Sequence, residues 1–233
     1  MQANKSRILT VYFLTVIVGY ALFIAPNLYF GIFKPAGGHT GLNFAIMGLF
    51  QLVTVCLLVR LSLKKLGADF RFIGWNFSRW RRDVFVGGGL GLAWALVEML
   101  IIVPQHGGAA EPNVARIIEG VDGEIAGMVG YLVLAVIGGG ITEEIFNRGY
   151  AINVLRQAFS NPTLGLWVAS ALSMVLFMLG HLPVTTLDWV TILIPTVIYT
   201  ALFVVTGRLA APIAAHAIHN AVVLAIIYAL YVV

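Results

Sequence analysis

A charged or imidazole side chain inside an apolar run costs roughly 2.5–3.5 kcal/mol on insertion scales, so each one asks for a reason. Glu143, Glu144 and Arg148 share one apolar run, His181 closes the next, and His216, His219 and Asn220 share the last. Glu98 stands alone in an earlier run. Glu144 and Arg148 are four residues apart, so on a helix they meet and offset the cost of both charges. Glu143 is turned about 100° away and is left without that partner. A lone carboxylate suits a general base. The plain alternative is a structural ion pair with Glu143 merely hydrogen-bonded. Phe177-x-x-x-His181 leaves one histidine near the end of its run, where an interfacial anchor is the bland reading. His216-x-x-x-Asn220 sets two polar groups one turn apart. Such a pair could donate to a developing oxyanion or simply join helices.

The elements that must hold these groups follow from composition. Of 233 residues, 60% are hydrophobic and 10% charged, with mean hydropathy +0.95. Soluble domains carry about 25% charged residues. The chain is therefore expected to be all-α, a polytopic membrane helix bundle forming one domain over residues 1–233. Seven spans of about 20 residues each are expected near 8–30, 42–63, 84–104, 129–156, 163–182, 189–206 and 209–232. The runs are long and do not alternate with period two, which disfavours a transmembrane barrel. The 25 glycines suit close helix contacts in lipid. The single cysteine, Cys56, excludes a disulfide framework and a Cys-based zinc site. The first run, from Ile8 to about Phe30, is too long for a signal-peptide core, so no cleaved leader is expected.

Charge placement gives an orientation. The net charge of +4 and pI near 9.4 do not mark a nucleic-acid binder, because the basic residues cluster at the ends of apolar runs. Lys5 and Arg7 precede the first span. Lys64, Lys65, Arg71, Arg79, Arg81 and Arg82 lie between the second and third, against only Asp69 and Asp83. The segment from Gln105 to about Met128 is expected to be a loop; it holds Glu111, Glu119, Asp122 and Glu124 with one Arg116 and should face outward. Arg156 and Arg208 mark further inner turns. The positive-inside rule then places the N-terminus in the cytoplasm and the C-terminus outside. Phe70–Trp80 mixes aromatic and basic residues and is expected in the inner headgroup layer, with a substrate or lipid docking surface as the alternative.

Depth arithmetic asks whether the polar groups meet. At about 1.5 Å per residue above the inner turn at Gln157–Pro162, Glu143 stands roughly 21 Å up and His181 roughly 27 Å. Counted from Arg208, His216 stands about 12 Å up and Asn220 about 18 Å. Arg148, at about 13 Å, is level with His216. Glu143, His181 and Asn220 thus fall within about 10 Å of depth, a gap that tilt and side-chain length can close. Independent structural polar residues need not converge in this way, so one buried site is expected.

Glu143-Glu144-Ile145-Phe146-Asn147-Arg148-Gly149, then Phe177-Met178-Leu179-Gly180-His181, then His216-Ala217-Ile218-His219-Asn220 resemble three motifs of the CPBP family. That family comprises CAAX proteases and bacteriocin-processing enzymes and is also called Abi. The resemblance covers about residues 126–225. It departs at Asn147, where the family usually has Phe; here Phe146 is one place early. The resemblance implies peptide-bond hydrolysis within the membrane, on a membrane-associated or lipidated protein or peptide. In that scheme Glu143 and His181 hold and deprotonate a water, and His216 and Asn220 stabilise the oxyanion. Glu144 and Arg148 hold their helix in place. His219 could replace His216, but the family spacing favours His216. No cofactor is expected. The alternative is zinc on Glu143, His181 and His216, which would move the general base to Glu144.

Two other classes fit part of the pattern. A proton-coupled transporter also places Glu, His and Arg at mid-membrane, but paired repeats and broken helices are not evident. A non-catalytic scaffold of the same fold is the third reading. The expected partners are the bilayer and a membrane protein or peptide, with no nucleic acid. The expected location is the plasma membrane of a prokaryote.

Overall fold

The computed structural model describes residues 4–232, in which every regular element is a helix. Among the described residues, seven helices are long and apolar enough to cross a membrane. In chain order they are α1 (Lys5–Phe33), α2 (Asn43–Lys65), α3 (Trp80–Gln105), α5 (Ile125–Ala158), α6 (Pro162–Gly180), α7 (Thr186–Thr206) and α8 (Ala210–Val232). A short helix, α4 (Pro112–Val121), falls between α3 and α5. The protein is thus an integral, multi-pass membrane protein. Its lipid-facing surface shows as large exposed side chains on several spans, among them Phe13, Phe85, Trp167 and Val205.

Two span boundaries depart from the sequence-based expectation, and one helix was not expected. The fourth span runs from Ile125 to Ala158, several residues beyond 129–156 at its start. The third begins at Trp80, so the basic run Arg81–Arg82 is its first turn. The acidic stretch expected to be a loop contains α4. Glu111 caps that helix by accepting from the backbone N–H groups of Asn113 and Val114, each at 2.9 Å. Pro112 takes the first helical position, where its missing N–H costs nothing.

The helices alternate in direction, so the bundle has a basic end and an acidic end. The largest apolar core lies at the basic end. It joins Ile8 and Tyr12 of α1, Val59 and Leu63 of α2, Ile152 and Leu155 of α5, and Leu209 before α8. A run of hydroxyls ties three helices there. Thr15 donates to Ser62 at 3.0 Å, and Ser62 shares a 2.6 Å hydrogen bond with Tyr150. Of the aromatic segment Phe70–Trp80, Ile73 is fully buried in this core, whereas Trp75, Phe77 and Trp80 remain exposed. Arg208 donates from Nε (2.6 Å) and Nη2 (2.7 Å) to the buried Asp83 carboxylate, joining the α7–α8 turn to α3. These bonds raise the Arg208 pKa further above its usual value.

Two devices matter most for placing polar side chains. The first is the contact between α3 and α8. A Cβ at Gly87 would strike the Ala211 backbone, and one at Gly91 would strike that of Ala215. The Gly87-x-x-x-Gly91 pair therefore lets the two helices touch along their backbones. The second is the middle of α5, where Leu134–Ile152 winds in the wide π form. The Thr142 hydroxyl donates to the Ile137 carbonyl five residues back, at 2.7 Å. Such windings are rare and gather at functional sites. Here it carries Glu143, Glu144 and Arg148.

Candidate active site

Glu144 is fully buried. Its Oε1 accepts from Arg148 Nη1 at 2.9 Å and from His216 Nδ1 at 2.8 Å. The pair on α5 is therefore a triad reaching α8, which the spacing of Glu144 and Arg148 alone did not show. The Arg148 guanidinium lies over the Phe177 ring of α6, 4.2 Å from its centroid, and 5.6 Å from that of Tyr199 on α7. A desolvated guanidinium gains from both ring faces.

Glu143 is turned out of this triad. Its Oε2 is buried and bonded to no protein group. Its backbone carbonyl accepts from the Asn147 side chain at 3.1 Å. Asn147 also accepts from the Tyr20 hydroxyl at 3.0 Å, and its carbonyl accepts from Ser173 at 2.7 Å. The residue that departs from the family motif thus cross-links α1, α5 and α6 one turn below Glu143. Phe146 packs edge-on against Tyr20 and Phe23.

His181 terminates α6, and the next residue, Leu182, takes a left-handed conformation with φ 51°. Its Nδ1 lies 2.8 Å from the Phe177 carbonyl. A carbonyl only accepts, so Nδ1 carries the proton and Nε2 of the neutral ring presents a lone pair. His216 has its Nδ1 on Glu144, and its ring stacks on Tyr199 with centroids 4.6 Å apart. Asn220 donates to the Ala135 carbonyl at 2.8 Å, which leaves one amide N–H and the oxygen uncommitted.

These groups face common space. One cavity of about 350 Å³ is lined by Glu143, His181, His216 and Asn220 together, with Gln51 and Ile117. A second, of about 340 Å³, shares His181, His216 and Asn220 and extends to Glu98, Asp188 and Arg116. Glu143, His181, His216 and Asn220 are thus brought to one place. Glu144 and Arg148 sit behind it.

His219 points elsewhere. Its Nε2 lies 2.7 Å from Glu98 on α3 and its Nδ1 3.0 Å from the Tyr199 hydroxyl. A carboxylate accepts, so Nε2 carries the proton and the hydroxyl donates to Nδ1. Glu98, His219 and Tyr199 form a chain that ends in the ring stacked on His216. The intramembrane charge of Glu98 was the sequence signal for it; nothing marked Tyr199. As for a metal, no three His, Cys, Asp or Glu side chains among the described residues are grouped to hold one.

Residues 125–222 match the family model of type II CAAX prenyl endopeptidases, described as Rce1-like. This match corresponds to the CPBP family. The matched stretch runs from the start of α5 through most of α8. No curated protein and no solved structure matches the chain. This likeness supports a membrane-embedded protease, and the match takes in Glu143, Glu144, Arg148, His181, His216 and Asn220. Tyr20, Gln51, Glu98 and Ile117, which complete the cavities or brace their walls, lie outside it.

Proposed function

We propose that this protein is an intramembrane endopeptidase of the glutamate type, acting on a membrane-associated or lipidated protein or peptide. The observation that carries the reading is the unpartnered Glu143 carboxylate sharing one cavity with His181, His216 and Asn220. A water held between Glu143 and the lone pair of His181 Nε2 gives its proton to Glu143 and attacks the scissile carbonyl carbon. The carbonyl π electrons move onto oxygen. His216 Nε2 and the free amide N–H of Asn220 donate to that oxyanion. His216 donates there as an imidazolium, with Nδ1 on Glu144. Glu143, Glu144, Arg148 and His216 then sum to zero charge, which suits a site out of water. Collapse of the intermediate breaks the C–N bond, and Glu143 returns its proton to the departing amine. Glu144 and Arg148 position His216 and touch no reacting atom.

The N-terminus is proposed to be cytoplasmic, because the basic end of the bundle carries the charges that the positive-inside rule retains. Its location is proposed to be the plasma membrane of a prokaryote. The test is terminal proteomics on membranes holding the wild type or Glu143→Gln, with zinc measured on the purified proteins. New termini are expected with the wild type alone, at equal expression and Tm. Activity is expected to survive strong chelation with less than one zinc per chain. Retained cleavage by Glu143→Gln overturns the base assignment. One zinc per chain, lost and restored in step with activity, overturns the glutamate type and moves the base to Glu144.

A further inference from the structure

We infer that the site takes its substrate from the non-cytoplasmic side, as a peptide segment in or emerging from the outer leaflet. This rests on the endopeptidase reading for the word substrate, but the side of access stands on its own observations. The first is where the space is. One rim of the cavities is built by Leu182 and Val184 of the α6–α7 connection, Asp188 in the first turn of α7, and Asn113 and Arg116 of α4. Ile117 of α4 lines both cavities. All of these belong to the acidic end of the bundle.

The second observation is what lies on the opposite side. Beneath Arg148 the interior is filled by the main core, with Ile145, Phe146, Tyr150 and Ile152 of α5 almost wholly buried against α1, α2 and Leu209. Arg148 and Glu144 themselves are 0% exposed. A peptide approaching from the basic end would have to displace close-packed side chains and a buried ion pair, at a cost of many kcal/mol. From the acidic end it meets an open cleft.

The third observation is the charge map. Lys5, Arg7, Lys64, Lys65, Arg71, Arg79, Arg81, Arg82, Arg156 and Arg208 sit at the closed end, against only Lys34 and Arg116 at the open end, which carries Glu111, Glu119, Asp122, Glu124 and Asp188. Basic residues in short connections stay in the cytoplasm. The closed end is therefore cytoplasmic and the open end faces out. A segment displayed on the cytoplasmic face, such as a prenylated C-terminal tail, does not reach Glu143 by this route. The substrate class that does is an exported or membrane-spanning peptide whose cleaved bond lies in the outer half of the bilayer.

The experiment uses single cysteines in the full chain with Cys56→Ala. Val184→Cys is at the open rim, where the native side chain is 88% exposed. Ser78→Cys is in the exposed connection at the closed end. Ile117→Cys and His181→Cys line the cavities. Intact cells are treated with a membrane-impermeant maleimide or a small charged methanethiosulfonate, then permeabilised. Val184→Cys, Ile117→Cys and His181→Cys should label in intact cells, and Ser78→Cys only after permeabilisation. The reverse pattern overturns the inference. So does cavity labelling that appears only after permeabilisation, and Ile117→Cys decides this if His181→Cys fails to fold. In the proteomic comparison with Glu143→Gln, the new termini should map to outer-face segments. Termini in cytoplasmic tails overturn the inference. No new termini, with outward labelling intact, overturns the endopeptidase reading alone.

Discussion

At the scale of single residues, Glu144 serves two partners through one oxygen, and this sets what substitutions will do. Removing one member of a buried ion pair costs roughly 3–5 kcal/mol, because the other is left charged and out of water. Arg148→Ala should therefore lower Tm in detergent by several degrees or more, and lower activity as well. An unchanged Tm would contradict the buried pair. Tyr199→Phe is a finer probe. It keeps the ring stacked on His216 but removes the donor to His219, at about 1–3 kcal/mol for the unsatisfied nitrogen. Turnover should fall far less than in Glu143→Gln, with a modest loss of Tm. A loss of turnover as complete as that of Glu143→Gln would mean that the hydroxyl itself takes part in the reaction. The sequence showed Glu144 and Arg148 as neighbours because helical spacing is local. It could not show His216 bound to Glu144 from 72 residues away, since that contact depends on how α5 and α8 cross. The same holds for Tyr199, whose side chain is ordinary in any apolar helix.

Among the elements, the spans were legible because a bilayer demands about 20 apolar residues regardless of what they pack against. Their pairing was not, because in lipid a core-facing and a lipid-facing position look alike. The glycines held the missing information. Gly87 and Gly91 fix the separation of α3 and α8, and with it the reach between Glu98 and His219. Gly91→Val should push the helices apart by the width of the added side chain. Overpacking of this kind costs about 1–3 kcal/mol. Tm should fall, and activity should fall further than in Tyr199→Phe because α8 also carries His216 and Asn220. A variant with full activity and wild-type Tm would show that the close approach is dispensable. The short helix α4 was missed because the segment between the third and fourth spans, too short and polar to cross a bilayer, was expected to be a loop. The cue was present in Glu111-Pro112, a capping carboxylate followed by proline at the first helical position.

For the molecule as a whole, the two ends are built for different tasks. The basic end holds the main core, the hydroxyl run and the Asp83–Arg208 clasp; the acidic end holds the cavities and two much smaller apolar clusters. An uneven distribution of packing means an uneven distribution of local opening. Backbone amides of α4 and of the α6–α7 connection should exchange with deuterium orders of magnitude faster than those of Tyr150–Leu155, measured by mass spectrometry in detergent or nanodiscs. Uniform protection along α5 would contradict the asymmetry seen in its packing. The consequence is a molecule that can breathe at one end without melting. The basic half acts as an anchor whose unfolding is global. The acidic half, with its smaller clusters, should open locally at a small fraction of that cost.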